Sequence, residues 1–374
     1  MKLLDRYIGR QIFFTTVFAV SVLTFVLVLG NVFKEVLDVL INHGVPLYII
    51  LSFIAYIVPF SMIYSIPWGF VTAVLLVFGR LSAENELIAL RSNGVSITRI
   101  CAPLFVLSIV CAGICLWINL DVAPRAQNNM KSALVDLATR DPLSLFGSDH
   151  VIDEFPGREI YVEAKNGRFL KNLLVYEMDK DSNILRVLFA KRGELETSEE
   201  AVLLHIYDER YEQRDPDFPD DFDKIHPGIV MKESHFSISL AELYEKNRRI
   251  KVPSQKTPGE LLKELKALKA GPQNDYTKGE IAQILTEINK RYSLSLGSLA
   301  LALTAVPLAI TAHRKETSIG FLFSIIVGFG YFFVGQLATM AQTNPHLHPE
   351  LLVWLPNIVF GILGVFLFWK LSRQ

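Results

Sequence analysis

The chain has few of the residues from which soluble enzymes and secreted domains build their chemistry. It contains 3 cysteines among 374 residues, all within one apolar stretch, so disulfides cannot stabilise a polar domain elsewhere in the chain. It contains no Gly-x-x-x-x-Gly-Lys-Ser/Thr phosphate loop, which excludes nucleotide binding of that kind. The Gly-x-Ser-x-Gly and His-Glu-x-x-His motifs of common hydrolases are also absent.

The sequence contains no strong metal-binding pattern either. Cys111 and Cys115 share a helical face, but small residues on a packed membrane helix explain them. His346 and His348 lie in a proline-containing loop, and the acidic run at 215–223 lacks the glycine-centred spacing of a calcium loop. We therefore predict no catalytic residue, no metal site and no cofactor bound by this chain.

Apolar sequence is what the chain has in quantity. Hydrophobic residues make up 51% of it, charged residues 20%, and the mean hydropathy is +0.33. A bilayer crossing takes about 20 apolar residues. We expect the first such window to be an uncleaved anchor, because no small-x-small cleavage pattern follows it. The sequence predicts six transmembrane helices, at 11–32, 51–78, 100–120, 293–312, 319–341 and 351–369.

The basic residues of the short loops predict the orientation. If the N-terminus lies inside the cell, the inside segments carry ten lysines and arginines, whereas the short outside segments carry only Lys34. Both termini are therefore expected in the cytoplasm. The ten inside residues are Lys2, Arg6, Arg10, Arg80, Arg91, Arg99, Arg314, Lys315, Lys370 and Arg373.

A polar insertion between the third and fourth spans is expected outside the inner membrane. Acidic residues outnumber basic ones in it, which argues against nucleic-acid binding. Short runs of strand-forming residues separated by polar turns favour an all-β sandwich or jelly roll. After them, Thr257, Pro258 and Glu260 form a capping-box pattern that predicts a helix start, and a second helix at 276–292 runs into the fourth span. The β-like runs are 159–164, 172–178, 183–189, 201–207 and 229–240.

Between the second and third spans, the polar segment 79–96 predicts a short helix at about 82–94. Ser82 is its predicted N-cap and Gly94 its end. Leucine and isoleucine recur in this otherwise polar helix, which favours docking into a groove on a partner over a plain solvated connector. The predicted spans contain no Asp or Glu, so proton-driven transport is not favoured. The energy for any transport is then expected from another protein.

The chain resembles the lipopolysaccharide-export permeases of the LptF/LptG (YjgP/YjgQ) family of ABC-transporter subunits. The resemblance covers the whole length, and its motifs occur in the same order. They are LDRYIGR at 4–10, GRL at 79–81, ELIALRSNGV at 86–95, AVPLA at 305–309 and WLPN at 354–357.

The resemblance implies an α+β membrane protein with six transmembrane helices (3+3) and an inserted periplasmic β-jelly-roll domain. Its four parts would be spans one to three with the coupling helix, the β-domain, a helical return, and spans four to six. These parts are 1–122, 123–256, 257–292 and 293–374.

The resemblance also implies a transport function rather than an enzymatic one. The chain would be a permease subunit in the bacterial inner membrane that extracts lipopolysaccharide and passes it through the β-domain for outer-membrane biogenesis. Its implied partners are a homologous permease subunit, a cytoplasmic ABC ATPase dimer that binds ATP and Mg, and periplasmic jelly-roll bridge proteins. A single-span accessory subunit is a further partner that the sequence leaves open.

The resemblance implies two kinds of site. Lys34 would contact the lipid headgroup, although Glu35 and Asp38 follow it here and a snorkelling interfacial anchor is an equal alternative. The helix in 79–96 would couple the permease to the ATPase. Its expected coupling residues are Ser82, Glu84, Glu86, Leu87, Leu90, Arg91 and Gly94.

Two other classes of function stay open at this point. One is a membrane-anchored lipid-modifying enzyme whose catalytic unit is the outside domain, although no nucleophile–base pair is visible in the sequence. The other is a scaffold whose periplasmic domain senses a ligand. The sequence does not distinguish an LptF-like from an LptG-like subunit.

Overall fold

The computed structural model describes residues 2–43, 47–140, 149–152, 158–178, 184–197, 201–213, 226–239, 251–272, 274–312, 317–342 and 345–373. The chain divides into two compact units. The first, the membrane unit, comprises Met1–Leu37, Pro46–Asn128 and Val252–Gln374. The second, the β-unit, comprises Asp38–Val45 and Asn129–Lys251.

Helices form most of the described chain. The first half contains α1 (Lys2–His43), α2 (Leu47–Ala83), α3 (Glu86–Ser92), α4 (Ile97–Ile100), α5 (Ala102–Trp117), a π-helical turn (Ile118–Val122) and α6 (Ala123–Arg140). The second half contains α7 (Pro258–Ala270), α8 (Asp275–Ala312), α9 (Thr317–Met340), α10 (Pro349–Leu352) and α11 (Leu355–Arg373), with 3₁₀ turns at Pro253–Gln255 and Pro345–Leu347.

The predicted class, a helical membrane protein with an inserted β-domain, is confirmed. Within the described residues, five stretches of helix are long and apolar enough to cross a membrane. The remaining predicted span, the fifth in chain order at 319–341, corresponds to α9, in which the apolar stretch Ile325–Met340 is shorter. The five long stretches are Leu3–Gly30, Ile50–Ala83, Ala102–Ala133, Thr277–Ile310 and Pro349–Leu371.

The core of the membrane unit is built around α2. This helix is apolar on every side, and a helix of that kind is stable only when it is surrounded. Phe70 and Phe78 are fully buried in the same cluster as Leu301 and Val306 of α8. On another side, a Cβ at Gly328 of α9 would lie 2.6 Å from the indole nitrogen of Trp68, so α9 packs on α2 through a glycine, as small residues allow.

The helical return begins as predicted. Thr257 accepts a hydrogen bond from the Glu260 backbone N–H, and the Glu260 side chain accepts from the Thr257 backbone N–H, which completes the capping box of α7. Leu261 and Leu265 then pack α7 against Ile284 of α8. The predicted helix at 276–292 and the fourth span are one continuous helix, α8.

The β-unit contains a six-stranded antiparallel sheet in which each described strand pairs with its neighbours in the chain, in the order β1 to β6. Apolar side chains alternate along the strands, and one cluster of them forms the core of this unit. A jelly roll pairs strands that are not consecutive in the chain. The described strands pair with their chain neighbours, so the jelly-roll topology stays a prediction for this chain. The strands are β1 (His150–Ile152), β2 (Arg158–Asn166), β3 (Phe169–Met178), β4 (Ile184–Thr197), β5 (Ala201–Gln213) and β6 (His226–Ser239). The acidic run at 215–223 lies outside the described residues.

Candidate functional site

The predicted helix in segment 79–96 exists, but it begins later than expected. Helix α2 continues through Ser82 to Ala83, and a turn at Asn85 with φ 58° separates it from α3. Asparagine tolerates this left-handed conformation, which ends the preceding helix. The prediction that Ser82 is the N-cap was wrong, because its hydroxyl instead donates to the Ile310 carbonyl of α8 at 3.3 Å. Glu84 consequently lies in the turn and Glu86 is the first residue of α3.

The end of α3 agrees with the sequence prediction. Gly94 has φ +80°, and its N–H donates to the Arg91 carbonyl at 2.9 Å. The N–H of Val95 donates to the Leu90 carbonyl at 3.2 Å, which completes a Schellman motif. Val95 and Leu90 both pack against the core of the membrane unit. The C-terminal end of α3 is therefore held down by hydrogen bonds and by apolar contact.

The apolar face of α3 does not point where the sequence suggested. Leu87 is only 3% exposed and belongs to the core cluster that also contains Ile8 and Ile12 of α1. Leu90 is half-buried against the same cluster, whereas Ile88 is 57% exposed. Residues three apart share a helix face and adjacent residues do not. Leu87 and Leu90 therefore fasten α3 to its own chain, and Ile88 lies on the outward face with Arg91.

The first turns of α1 contact the 79–96 loop and the short helix α4 that follows it. The Tyr7 hydroxyl donates to the Glu86 carboxylate, at 3.2 Å from Oε2 and 3.3 Å from Oε1. Asp5 forms an ion pair with Arg99 of α4 at 2.5 Å. An ion pair with this exposure contributes no more than about 1 kcal/mol, so it orients α1 more than it stabilises the fold. α3 and α1 are thus connected by a hydrogen bond and by residues of one apolar core.

A basic groove lies beside these contacts. It has a volume of about 790 Å³, and the guanidinium groups of Arg6, Arg10 and Arg80 line it together with Phe14. Among the described residues that line it, none is acidic. The Arg10 guanidinium lies 5.7 Å from the centre of the Phe14 ring. The sequence contains the signal for this groove, since Arg6 and Arg10 are one helical turn apart, but the contribution of Arg80 depends on packing.

The predicted lipid-headgroup residue is only partly described. Lys34 lies within α1, but its side chain falls outside the described residues, so its role stays a prediction. Another cation, Lys290 of α8, lines a cavity of about 270 Å³ together with Tyr64 and Tyr331. Its ammonium group lies 3.0 Å from the Glu287 carboxylate, which also accepts a hydrogen bond from Arg291. Sequence reasoning missed Lys290 because it precedes the apolar window of the fourth span.

Comparison with known proteins gives one match that spans these features. The family model described as "Lipopolysaccharide export system permease LptF/LptG" matches residues 6–370. That range includes the 79–96 loop, the sheet and the apolar helices on both sides of it. A search of curated proteins finds no match for the chain.

Proposed function

This chain belongs to the LptF/LptG family of lipopolysaccharide export system permeases, and from that premise we propose that it is the permease subunit of an ABC transporter. Its cargo is lipopolysaccharide, which it extracts from the inner membrane. The chain contains no phosphate loop, so ATP and Mg bind to a separate cytoplasmic ATPase dimer. A homologous permease subunit completes the membrane part.

The proposed orientation has both termini in the cytoplasm and the β-unit in the periplasm. The distribution of lysine and arginine in the short loops supports it. A membrane-impermeant thiol reagent tests it on variants in which Cys101, Cys111 and Cys115 are replaced and one new cysteine is added. A cysteine in the β2–β3 turn at Gly167 should react in intact cells, and one at Ser92 should react only after lysis. The reverse pattern would exclude this orientation.

The observation that carries the coupling proposal is the two-sided contact of α3. On its outward face, Ile88 and Arg91 are exposed and available to the ATPase. On its inward face, Leu87 is buried in the core that contains α1 and α2. A helix that packs against the membrane unit on one side and is exposed on the other can be displaced by a partner. Its displacement can then be transmitted to the helices that it contacts. Closure of the ATPase would move α3 and, through Glu86 and Leu87, the first helix.

Extraction of lipopolysaccharide from the bilayer requires a large free energy, which supports an external energy source. Each buried CH₂ group of an acyl chain stabilises a lipid in the bilayer by about 0.8 kcal/mol. Withdrawal of several acyl chains therefore costs tens of kcal/mol on this scale, unless the protein covers them as they leave. We propose that α1 and the β-unit cover them in turn, with Lys34 at the headgroup. Periplasmic jelly-roll bridge proteins then receive the lipid, and a single-span accessory subunit joins the complex.

Co-purification is the direct test of this function. The tagged chain, extracted from native membranes, should bring with it an ABC ATPase, a related six-span subunit and bound lipopolysaccharide identified by mass spectrometry. In proteoliposomes, lipopolysaccharide release should require ATP and should stop when the ATPase is inactivated. Release or chemical change of the lipid without any ATPase would instead support the lipid-modifying alternative. Normal lipopolysaccharide export after deletion of the gene would support the sensing scaffold.

A further inference from the structure

Two histidines and a glutamate meet on adjacent strands of the β-unit. His205 of β5 pairs directly with His235 of β6, and the centroids of their imidazole rings lie 4.7 Å apart in an edge-to-face arrangement. Glu233 lies two residues before His235, so the pleat places both side chains on the same face of the sheet. One ligand atom from each of the three residues lies within 4.8 Å of the other two.

We propose that His205, His235 and Glu233 bind one divalent transition-metal ion, with Zn²⁺ as the best-matched ion. Two imidazoles and a carboxylate form a donor set that zinc accepts, and a water molecule then completes four-coordination. With metal–nitrogen bonds of about 2.0–2.1 Å, neighbouring ligand atoms in a tetrahedral site lie roughly 3.3 Å apart. The ligand atoms therefore have to approach one another by at most about 1.5 Å. His235 and Glu233 are exposed, so rotation of their side chains provides that movement.

A fourth residue positions His205. Its Nε2 lies 3.1 Å from Oε2 of Glu196 on β4. A neutral imidazole that donates Nε2–H to a carboxylate has its lone pair on Nδ1, which is then the nitrogen able to bind a metal. A carboxylate in this role also raises the basicity of the ligand nitrogen. Glu196 is thus a positioning residue and not a ligand.

A metal ion at this site would stabilise the attachment of β6 to the rest of the sheet. Among the described strands, β6 pairs only with β5 and forms one edge of the sheet. An ion bound by residues of both strands stabilises their pairing, because it binds the folded sheet and not the separated strands. This proposal rests on the β-unit alone and does not depend on lipid transport.

Zinc titration of the untagged full-length protein in detergent tests the proposal, after a chelator has been used and removed by dialysis. Wild type should bind one Zn²⁺ per chain with a dissociation constant in the micromolar range or tighter. H205N and H235N should each weaken binding by at least about tenfold, the scale on which ligand-shell changes act. The double variant H346N/H348N is the matched control, since it removes two histidines from a loop of the membrane unit and should bind as wild type does.

Two readouts separate the proposed site from adventitious binding. Co²⁺ substituted for zinc should give the visible absorption bands of tetrahedral coordination, and H235N should lose them. E196Q should weaken zinc binding about 10- to 100-fold and change its pH dependence, while circular dichroism shows an unchanged sheet. The proposal is overturned if H205N and H235N keep wild-type stoichiometry and affinity. It is equally overturned if zinc binds only in the millimolar range, since that result would mean an adventitious ion only.

Discussion

The Tyr7 hydroxyl lies 3.2 Å from Oε2 of Glu86 and joins the first helix to the first residue of α3. This contact changes the role that the sequence suggested for Glu86. The carboxylate is engaged within its own chain, at the helix end where a negative charge is favourable. In the proposed mechanism, a partner that displaces α3 would act on α1 as well, and α1 carries the predicted lipid contact at Lys34.

Replacement of Tyr7 by phenylalanine should reduce coupling while leaving the fold intact. The variant loses one hydrogen bond at an exposed position, which costs at most about 0.5–1.5 kcal/mol of stability. In the reconstituted transporter, we expect ATP turnover to continue while the amount of lipopolysaccharide released per ATP falls. Tyr292→Phe is the matched control, since Tyr292 is exposed to a similar extent, 40% against 45% for Tyr7. An unchanged ratio of release to ATP turnover in Tyr7→Phe would exclude a coupling role for the Tyr7–Glu86 contact.

The two faces of α3 predict opposite consequences for two neighbouring substitutions. Ile88→Asp places a charge on the outward face, so the purified chain should keep its thermal stability and lose the ATPase in co-purification. Leu87→Ala should instead destabilise the membrane unit by about 2–5 kcal/mol, the cost of truncating a buried leucine. Thermal unfolding in detergent and quantitative pull-down measure the two effects. Ile88→Leu preserves the apolar surface and should behave as wild type.

The outcome would identify which face the ATPase contacts. If Ile88→Asp retains the ATPase in full, the outward face of α3 is not the docking surface. If Leu87→Ala is as stable as wild type, Leu87 does not contribute to the core in the way that its burial indicates.

The sequence predicted those features that depend on local patterns. Apolar windows indicate spans because length and composition alone decide whether a helix can cross a bilayer. The capping box at Thr257 and the helix end at Gly94 were also predictable, since both depend on residues within one or two turns. These features need no knowledge of the distant chain.

Several features that sequence reasoning missed depend on contacts between distant residues. The apolar residues of α3 looked like a docking surface because nothing in the sequence places Leu87 in the same core as Ile8. Ser82 looked like a cap because its partner, the Ile310 carbonyl, is 228 positions away. The register of β5 and β6 likewise brings together His205 and His235, which are too far apart in sequence to form a recognisable metal motif.

Gly94→Ala should loosen the end of α3. A Cβ at this position meets no atom within 4 Å, so the loss of stability comes only from the backbone φ of +80°. A left-handed conformation costs a non-glycine residue roughly 1–2 kcal/mol. Hydrogen exchange should therefore become faster at the N–H groups of Gly94's neighbours in the Schellman motif, and coupled transport should weaken.

Gly259→Ala is the matched control for that change. Gly259 lies in the first turn of α7, also with open space around its Cβ position and without a positive φ. Alanine is favoured over glycine in a helix by up to about 1 kcal/mol, so this variant should be as stable as wild type or more stable. If hydrogen exchange in the Schellman motif of α3 is equally fast in Gly94→Ala and Gly259→Ala, the left-handed turn does not stabilise the end of α3.

Arg291 of α8 connects the segment 253–256, which precedes α7, to α8, and even a conservative substitution there should break the connection. The side chain is 2% exposed, and its guanidinium donates to the Glu287 carboxylate and to the backbone carbonyls of Lys256, Pro253 and Ser254 at 2.9–3.0 Å. Lysine keeps the positive charge but cannot reproduce this planar set of donors. Arg291→Lys should therefore cost up to about 1–3 kcal/mol for each of these half-buried carbonyls left without a partner.

Limited proteolysis measures this effect where it should occur. The 3₁₀ turn Pro253–Gln255 is held to α8 by these bonds, so Arg291→Lys should become sensitive to cleavage near residues 251–257 while the helices of the membrane unit stay protected. Lys263→Gln removes an exposed cation from the neighbouring α7 and should leave the cleavage pattern unchanged. Wild-type resistance in Arg291→Lys would mean that the buried charge, and not the guanidinium geometry, holds the turn, and Arg291→Gln would then be the variant that releases it.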